Sequence, residues 1–354
     1  MAFEEFQGTK PVAPQHAFDE AALLRWLQAH VDGFGRTLRV EQFKGGQSNP
    51  TFRLTGEHGR YVLRRKPPGQ LLPSAHAVDR EFRVIRALHG TAAPVARAHA
   101  LCTDESVIGS MFYVMDNVDG RVLWDPQLPG LTPEERRAHF AELGRVIAAL
   151  HQVDPQTVGL ADYGKPGNYI ARQVARWTQQ YRAAETETIE AMDRLIDWLP
   201  QRIPPGDEVA IVHGDYRFDN VIFHPTEPRI LAVLDWELST LGHPLVDFAY
   251  HCMTWHMAAG ETTRGLAGLD LPAMGIPTEA EYVQAYLQRT GRMQGVAAEH
   301  WRYYLVFNMF RLAGILQGIM KRALQGNASN ERALQAGRRA RPLAEQAWAL
   351  AQQA

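Results

Sequence analysis

The chain has 354 residues, 45% of them apolar, enough to bury a sizeable core; this fits one large domain or a two-lobed unit and excludes a disordered or fibrous chain. A formal net charge of −2 removes any global electrostatic case for a nucleic-acid partner. Two cysteines, Cys102 and Cys252, make no disulfide framework, and with neither a signal-like start nor a membrane-length apolar run, a soluble cytoplasmic protein with no membrane partner is expected.

In chain order, the spacing of apolar residues in FDEAALLRWLQAHV predicts a leading helix. From Thr37 to Asp116 the pattern reads as the strands TLRVEQF, PTFRLT and RYVLRRK, the helix AHAVDREFRVIRALHG, then further strands that include MFYVM. After Gly120 the chain becomes mostly helical, with amphipathic stretches near 133–151, 168–199, 279–290 and 297–325. A strand pair around HGDYRFDN, residues 213–220, interrupts them. The expected fold class is therefore α+β: a small antiparallel-sheet lobe over residues 1–116, a join at 117–120, and a larger, mainly helical lobe over 121–354.

The octet HGDYRFDN enters a hairpin. Val221-Ile222-Phe223 is followed by a turn with two prolines, Pro225 and Pro228, and by a second apolar run ending at Leu234-Asp235. The midpoint falls near residue 227, so antiparallel pairing places Asn220 beside Asp235. A carboxylate and a carboxamide oxygen there suit Mg²⁺, which takes hard oxygen ligands and completes its shell with water and phosphate. Asp215, a few residues upstream, is then free to act as a base. His243, His251 and His256 lack a carboxylate or cysteine at zinc-ligand spacing.

HGD-x₄-N with an aspartate fifteen residues further on resembles the catalytic loop of the aminoglycoside phosphotransferase and choline kinase family, and LDWE stands where protein kinases have DFG. The resemblance implies a protein-kinase-like two-lobed fold. Asp215 is then the catalytic base, Asn220 and Asp235 hold Mg²⁺ on the phosphates of ATP, Asp247 braces the catalytic loop, and His213 makes a structural hydrogen bond in it. HGD in place of HRD, with no APE-like activation segment before the helix that begins near Pro244, points to a small-molecule acceptor.

In the small lobe, Gly45, Gly46 and Ser48 of KGGQSN could let backbone N–H groups and a hydroxyl approach phosphates, or form only a hairpin turn. Strand alternation puts Val62, Arg64 and Lys66 on one face, so either Arg64 or Lys66 could reach the phosphates; the resemblance favours Arg64. Glu81 resembles the helix glutamate that orients this cation, and is otherwise a solvated helix acid. The resemblance makes Met115 to Val118 the hinge, where backbone groups of Asp116 and Val118 could bond adenine.

For the acceptor, eight Lys or Arg residues against the single acid Glu331 lie between Trp301 and Arg341. Arg311, in the apolar stretch LVFNMFRLAGILQGI, is costly to bury without an anionic or acidic partner. Arg172 and Arg176 share a helix face at i and i+4. These three arginines are candidate contacts for an anionic acceptor, or are a solvated face and a structural ion pair. RYVLRRKPPGQLLPSAHAVDREFRVI and GNYIARQVARW resemble the kinase-like domain found fused to acyl-CoA dehydrogenases, which implies a hydroxy acid or hydroxyacyl-CoA acceptor. Two functions are expected from this sequence: an ATP- and Mg²⁺-dependent kinase of a hydroxylated small molecule, or a nucleotide-binding module without catalysis. Aminoglycoside, choline-like and sugar acceptors are the alternatives within the first.

Overall fold

The computed structural model describes residues 8–44, 49–67, 77–260, 265–325 and 331–353. The chain forms two compact units. The first comprises Met1–Trp124, Gln156–Leu160 and Phe218–Ser239; the second comprises Asp125–Pro155, Ala161–Arg217 and Thr240–Ala354. The hairpin after Asn220 therefore belongs with the amino-terminal unit, although it lies far along the chain.

In the first unit, strands β1 (Thr9–Lys10), β2 (Leu38–Phe43), β3 (Thr51–Gly56), β4 (Arg60–Arg65), β5 (Ala98–Cys102) and β6 (Phe112–Asp116) form an antiparallel sheet in the order β1-β2-β3-β4-β6-β5. Alternation sorts the side chains of its central strands. Tyr61, Leu63, Phe112 and Val114 join Leu23 and Leu27 of helix α1 (Glu20–His30) in one core cluster. Each such fully buried side chain contributes about 1.5–3 kcal/mol. Asp19 starts α1 by accepting the N–H groups of Ala21 and Ala22, each at 2.9 Å. The intervening Tyr113 meets Phe82 of helix α2 (Val78–Leu88), with ring centroids 6.1 Å apart. Arg65 falls on the α1 face and is nevertheless buried, because the rings of Phe18 and Phe52 take its guanidinium at 5.3 and 5.6 Å.

The hairpin strands β8 (Val221–Phe223) and β9 (Ile230–Val233) pair Val221 with Val233. This corrects the expected register by one residue. The Asn220 carbonyl accepts the Leu234 N–H at 2.8 Å, so Leu234 stands opposite Asn220 and Asp235 follows one place later. Asp235 leaves the strand with φ 62° and ψ 61°, a left-handed conformation that a non-glycine residue adopts only under constraint. Gly120 lies against the same hairpin: an added Cβ would sit 2.2 Å from the Phe223 carbonyl oxygen, so no larger residue fits this crossing.

In the second unit, β7 (Ala210–Val212) pairs antiparallel with β10 (Thr240–Gly242), and the other elements described are helices. The helices described are α3 (Pro133–His151), α4 (Tyr169–Ala184), α5 (Glu190–Trp198), α6 (Pro244–Cys252), α7 (Leu271–Met274), α8 (Glu279–Arg289), α9 (Ala298–Leu324), α10 (Glu331–Arg338) and α11 (Ala340–Ala351). The stretch expected as one helix over 168–199 is two, because Glu185 turns extended after α4 and Ile189 is still extended before α5. Thr132 and Thr278 start α3 and α8 with full capping boxes to Glu135 and Glu281. The apolar run in α9 is not amphipathic because α4, α6, α10 and α11 all pack on this helix. Among the described residues no helix is long and apolar enough to cross a membrane.

Candidate functional site

In the first unit, the alternate face of β4 brings Arg64 to α2. Its Nε lies 3.0 Å from Glu81 Oε2, and its Nη2 donates to Asp235 Oδ1 at 2.7 Å and lies 3.9 Å from Glu237. One guanidinium so faces three carboxylates, which a planar fork of donors can do and a lysine ammonium would do less well. Glu81 is not a solvated helix acid. It is 1% exposed and also accepts from Asn49 Nδ2 at 2.8 Å and Tyr113 Oη at 3.1 Å. Burial raises its carboxyl pKa more than Arg64 lowers it, so the net direction is upward. Burial works against the charged Arg64, but Glu81, Tyr113 and Asp235 outweigh it and hold the guanidinium above the ordinary arginine value.

Lys66 is different. It donates its backbone N–H to the Met111 carbonyl at 2.9 Å, and its ammonium has no hydrogen bond or ion pair among the described residues. Asn220 is 8% exposed at the end of a single 3₁₀ turn, Phe218–Asn220, that leads into β8. The Asp235 side chain keeps one third of its surface exposed. The Asp116 N–H is taken by the Arg97 carbonyl at 2.9 Å and its carboxylate by His99 Nε2 at 2.6 Å, while Val118 is half-buried in the segment that follows. Gly45, Gly46 and Ser48 lie outside the described residues.

In the second unit, the loop after β7 is held atom by atom. Asp247, on α6, accepts the His213 N–H at Oδ2 and the Gly214 N–H at Oδ1, both at 2.7 Å. His151 Nε2 lies 3.1 Å from the same carboxylate, and His151 Nδ1 is 2.7 Å from Tyr286 Oη. Burial would raise the Asp247 carboxyl, but the His151 hydrogen bond and charge and the His213 amide prevail and hold it below the usual carboxylate value. His213 is fully buried, and its Nδ1 accepts the Asp215 N–H at 3.1 Å. Gly214 has φ 84°, a conformation that strains any residue with a side chain.

The Asp215 carboxylate receives Tyr250 Oη at 2.6 Å on Oδ1 and Arg217 Nη2 at 3.3 Å on Oδ2. Arg311 is 7% exposed and donates Nη2 to the Gly214 carbonyl at 2.7 Å. Its guanidinium lies between Trp177, at 5.4 Å, and Tyr250, at 4.9 Å. The cation is thus stabilised by two rings and a carbonyl where a structural carboxylate was the alternative expected. Arg172 donates to the Lys165 carbonyl at 2.7 Å, and Arg176 is exposed on the same helix with its guanidinium 5.9 Å from the Trp177 ring. Sequence reasoning passed over Tyr250, Asn49 and Tyr113. Tyr250 had a signal, since it lies one helical turn after Asp247 and so on the same face of α6.

The description "Phosphotransferase enzyme family" matches residues 39–301 of the chain. Mouse acyl-CoA dehydrogenase family member 10 is 44% identical over 345 residues, covering 96% of this chain and 32% of that protein. The chain spans about a third to under half the length of the curated relatives it matches first. A solved Ralstonia eutropha JMP134 structure classed with the aminoglycoside phosphotransferases superposes with a TM-score of 0.88 at 59% identity, covering 95% of this chain and 99% of that one. Aminoglycoside phosphotransferase APH(4)-Ia, solved as a ternary complex with ADP and hygromycin B, superposes with a TM-score of 0.57 at 16% identity over 92% of this chain and 98% of that one, a likeness of the protein-kinase-like fold.

Proposed function

The chain belongs to the phosphotransferase enzyme family, and on that premise we propose that it transfers the γ-phosphoryl group of ATP to a hydroxyl of a small anionic molecule, a hydroxy acid or hydroxyacyl-CoA. The observation that carries this reading is the fixed Asp215: a carboxylate at the end of a loop whose amides, carbonyl and side chain are all tied down. A group meant to take a proton from an acceptor hydroxyl must be held within hydrogen-bond reach of it, and this loop supplies that constraint. Residues 1–116 act in this reading as the nucleotide lobe, 117–120 as the hinge and 121–354 as the catalytic and acceptor lobe.

The residues present fit a magnesium ion. Asp235, one third exposed, and Asn220, at the entry to the same hairpin, carry hard oxygens of the kind this ion takes, with phosphate and water to complete its shell. When bound, Mg²⁺ neutralises charge on the phosphate oxygens. Arg64 sets the Asp235 carboxylate through Oδ1 and is the phosphate-facing cation in preference to Lys66, because Glu81 orients it. Since the Asp116 N–H is already bonded, its contact with adenine falls on the carbonyl, and Val118 contributes its N–H.

The acceptor class rests on charge and on relatives. Arg176 and Arg311 sit on packed helices, α4 and α9, and the matched relatives carry acyl-CoA dehydrogenase names. Arg311 has committed Nη2 to Gly214, so what it offers an acceptor is positive charge, and Arg172 has spent donors on loop carbonyls. The test is ADP formation from Mg·ATP over hydroxy acids, hydroxyacyl-CoAs, aminoglycosides, choline and sugars, with Asp215→Asn beside the wild type. Acceptor-dependent ADP that falls by orders of magnitude, to a small residual rate, in Asp215→Asn supports the kinase. Nucleotide binding with no acceptor-dependent ADP would show a binding module instead.

A further inference from the structure

Helix α6 delivers two side chains to the loop after β7 from one face. Asp247 takes the amides of His213 and Gly214, and Tyr250, three residues on, reaches Asp215 Oδ1 at 2.6 Å. Helix α9 holds the next peptide of the same loop, since Arg311 donates to the Gly214 carbonyl at 2.7 Å and lies over the Tyr250 ring at 4.9 Å. The two helices are themselves tied together. Asn308, one turn before Arg311, donates to the Val246 carbonyl of α6 at 2.8 Å.

The backbone contacts fix where Asp215 begins, but they do not by themselves set the rotation of its carboxylate. The terminal torsion of an aspartate is broad, so its orientation depends on partners at the oxygens. Arg217 is a loose partner: its side chain is 44% exposed and approaches at 3.2–3.3 Å. Tyr250 is a buried one, 7% exposed, with the Arg311 guanidinium over its ring at 4.9 Å. Burial, and after it the charge of Asp215, pushes the Tyr250 phenol well above its ordinary pKa, so it remains a hydrogen-bond donor throughout the physiological range.

We propose that Tyr250 is a positioning residue for phosphoryl transfer: its hydroxyl sets the rotation of the Asp215 carboxylate, and Arg311 sets Tyr250. This rests on the reading of Asp215 as the group that takes the acceptor's proton. Asp247 and Arg311 place the loop, and Tyr250 aims the oxygen.

The test is a double-mutant cycle of Tyr250→Phe and Asp215→Asn, followed by ADP formation from Mg·ATP and the most active acceptor of the hydroxy acid and hydroxyacyl-CoA panel. Phe keeps the ring on Arg311 and removes only the donor. The expected result for Tyr250→Phe is a kcat lowered about 10- to 100-fold with an unchanged KM for ATP and a melting temperature close to wild type. In the Asp215→Asn background the same change adds no further loss, because a residue that acts only through Asp215 has nothing left to act on. A purely structural tyrosine would instead give the same fold-loss in both backgrounds, and that result, or an unchanged kcat, overturns the proposal. Should Tyr250→Phe be destabilised, its crystal structure decides: an Asp215 carboxylate still in one unchanged orientation overturns the proposal, and a rotated or multiply oriented one supports it. A wild type with no Asp215-dependent ADP formation overturns the kinase reading itself, an outcome distinguishable from a wild type that is active with a flat cycle.

Discussion

Asp247 shows how much one side chain can hold. It is 4% exposed and serves two amides and a histidine, so Asp247→Ala would leave three buried donors facing a void. The expected loss is about 3–5 kcal/mol of unfolding free energy, read from urea denaturation. Buried histidines make a second, pH-dependent prediction. Burial drives both His243 and His251 down to about 4, below the value near 6.5 expected for an unfolded chain. The unfolded state then binds more protons between these values, so this contribution is complete above pH 6.5 and is lost as pH falls toward 4. At pH 5 each histidine should cost roughly 2 kcal/mol relative to pH 7. Equal stability at the two pH values would contradict their burial in the neutral form.

Strand β4, helix α2 and the hairpin β8–β9 meet at Arg64, which makes the charge cluster a property of three elements rather than of any one. Arg64→Lys keeps the charge but loses the fork that reaches Glu81 with Nε and Asp235 with Nη2. Mg·AMP-PNP affinity should weaken by about tenfold, a change of about 1.4 kcal/mol measurable by titration. Arg64→Met goes further and strands a carboxylate that is 1% exposed, with an expected stability loss of about 3–5 kcal/mol in a thermal melt. A fully stable Arg64→Met would mean that Asn49 and Tyr113 suffice for Glu81.

At the scale of the whole molecule, nucleotide binding and folding are linked, since a ligand that binds only the folded state stabilises it in proportion to its saturation. At a hundred times its dissociation constant Mg·AMP-PNP should raise the unfolding free energy by about 2.7 kcal/mol. Asp235→Asn should remove most of that increment while leaving the ligand-free melt close to wild type, because its side chain is one third exposed. An undiminished increment in Asp235→Asn would take the metal-ligand role from this residue.

Elements with a clean period were legible from sequence: α1, α2, α3, α8 and the strands β2, β3, β4 and β6 all stand within a few residues of their apolar patterns. The octet and the aspartate fifteen residues after Asn220 were legible as well, because spacing along the chain is itself a sequence property. What sequence alone left open was decided by partners distant in the chain. A one-residue shift in the hairpin register came from cross-strand hydrogen bonds that end at Leu234, and Glu81 became buried because Arg64, Asn49 and Tyr113 converge on it from other strands and loops. Arg311 reads in sequence as a charge in an apolar helix with no stated partner. Only the tertiary structure supplies Trp177, Tyr250 and the Gly214 carbonyl around it, since a side chain's surroundings are set by which elements pack together and not by its neighbours in the chain.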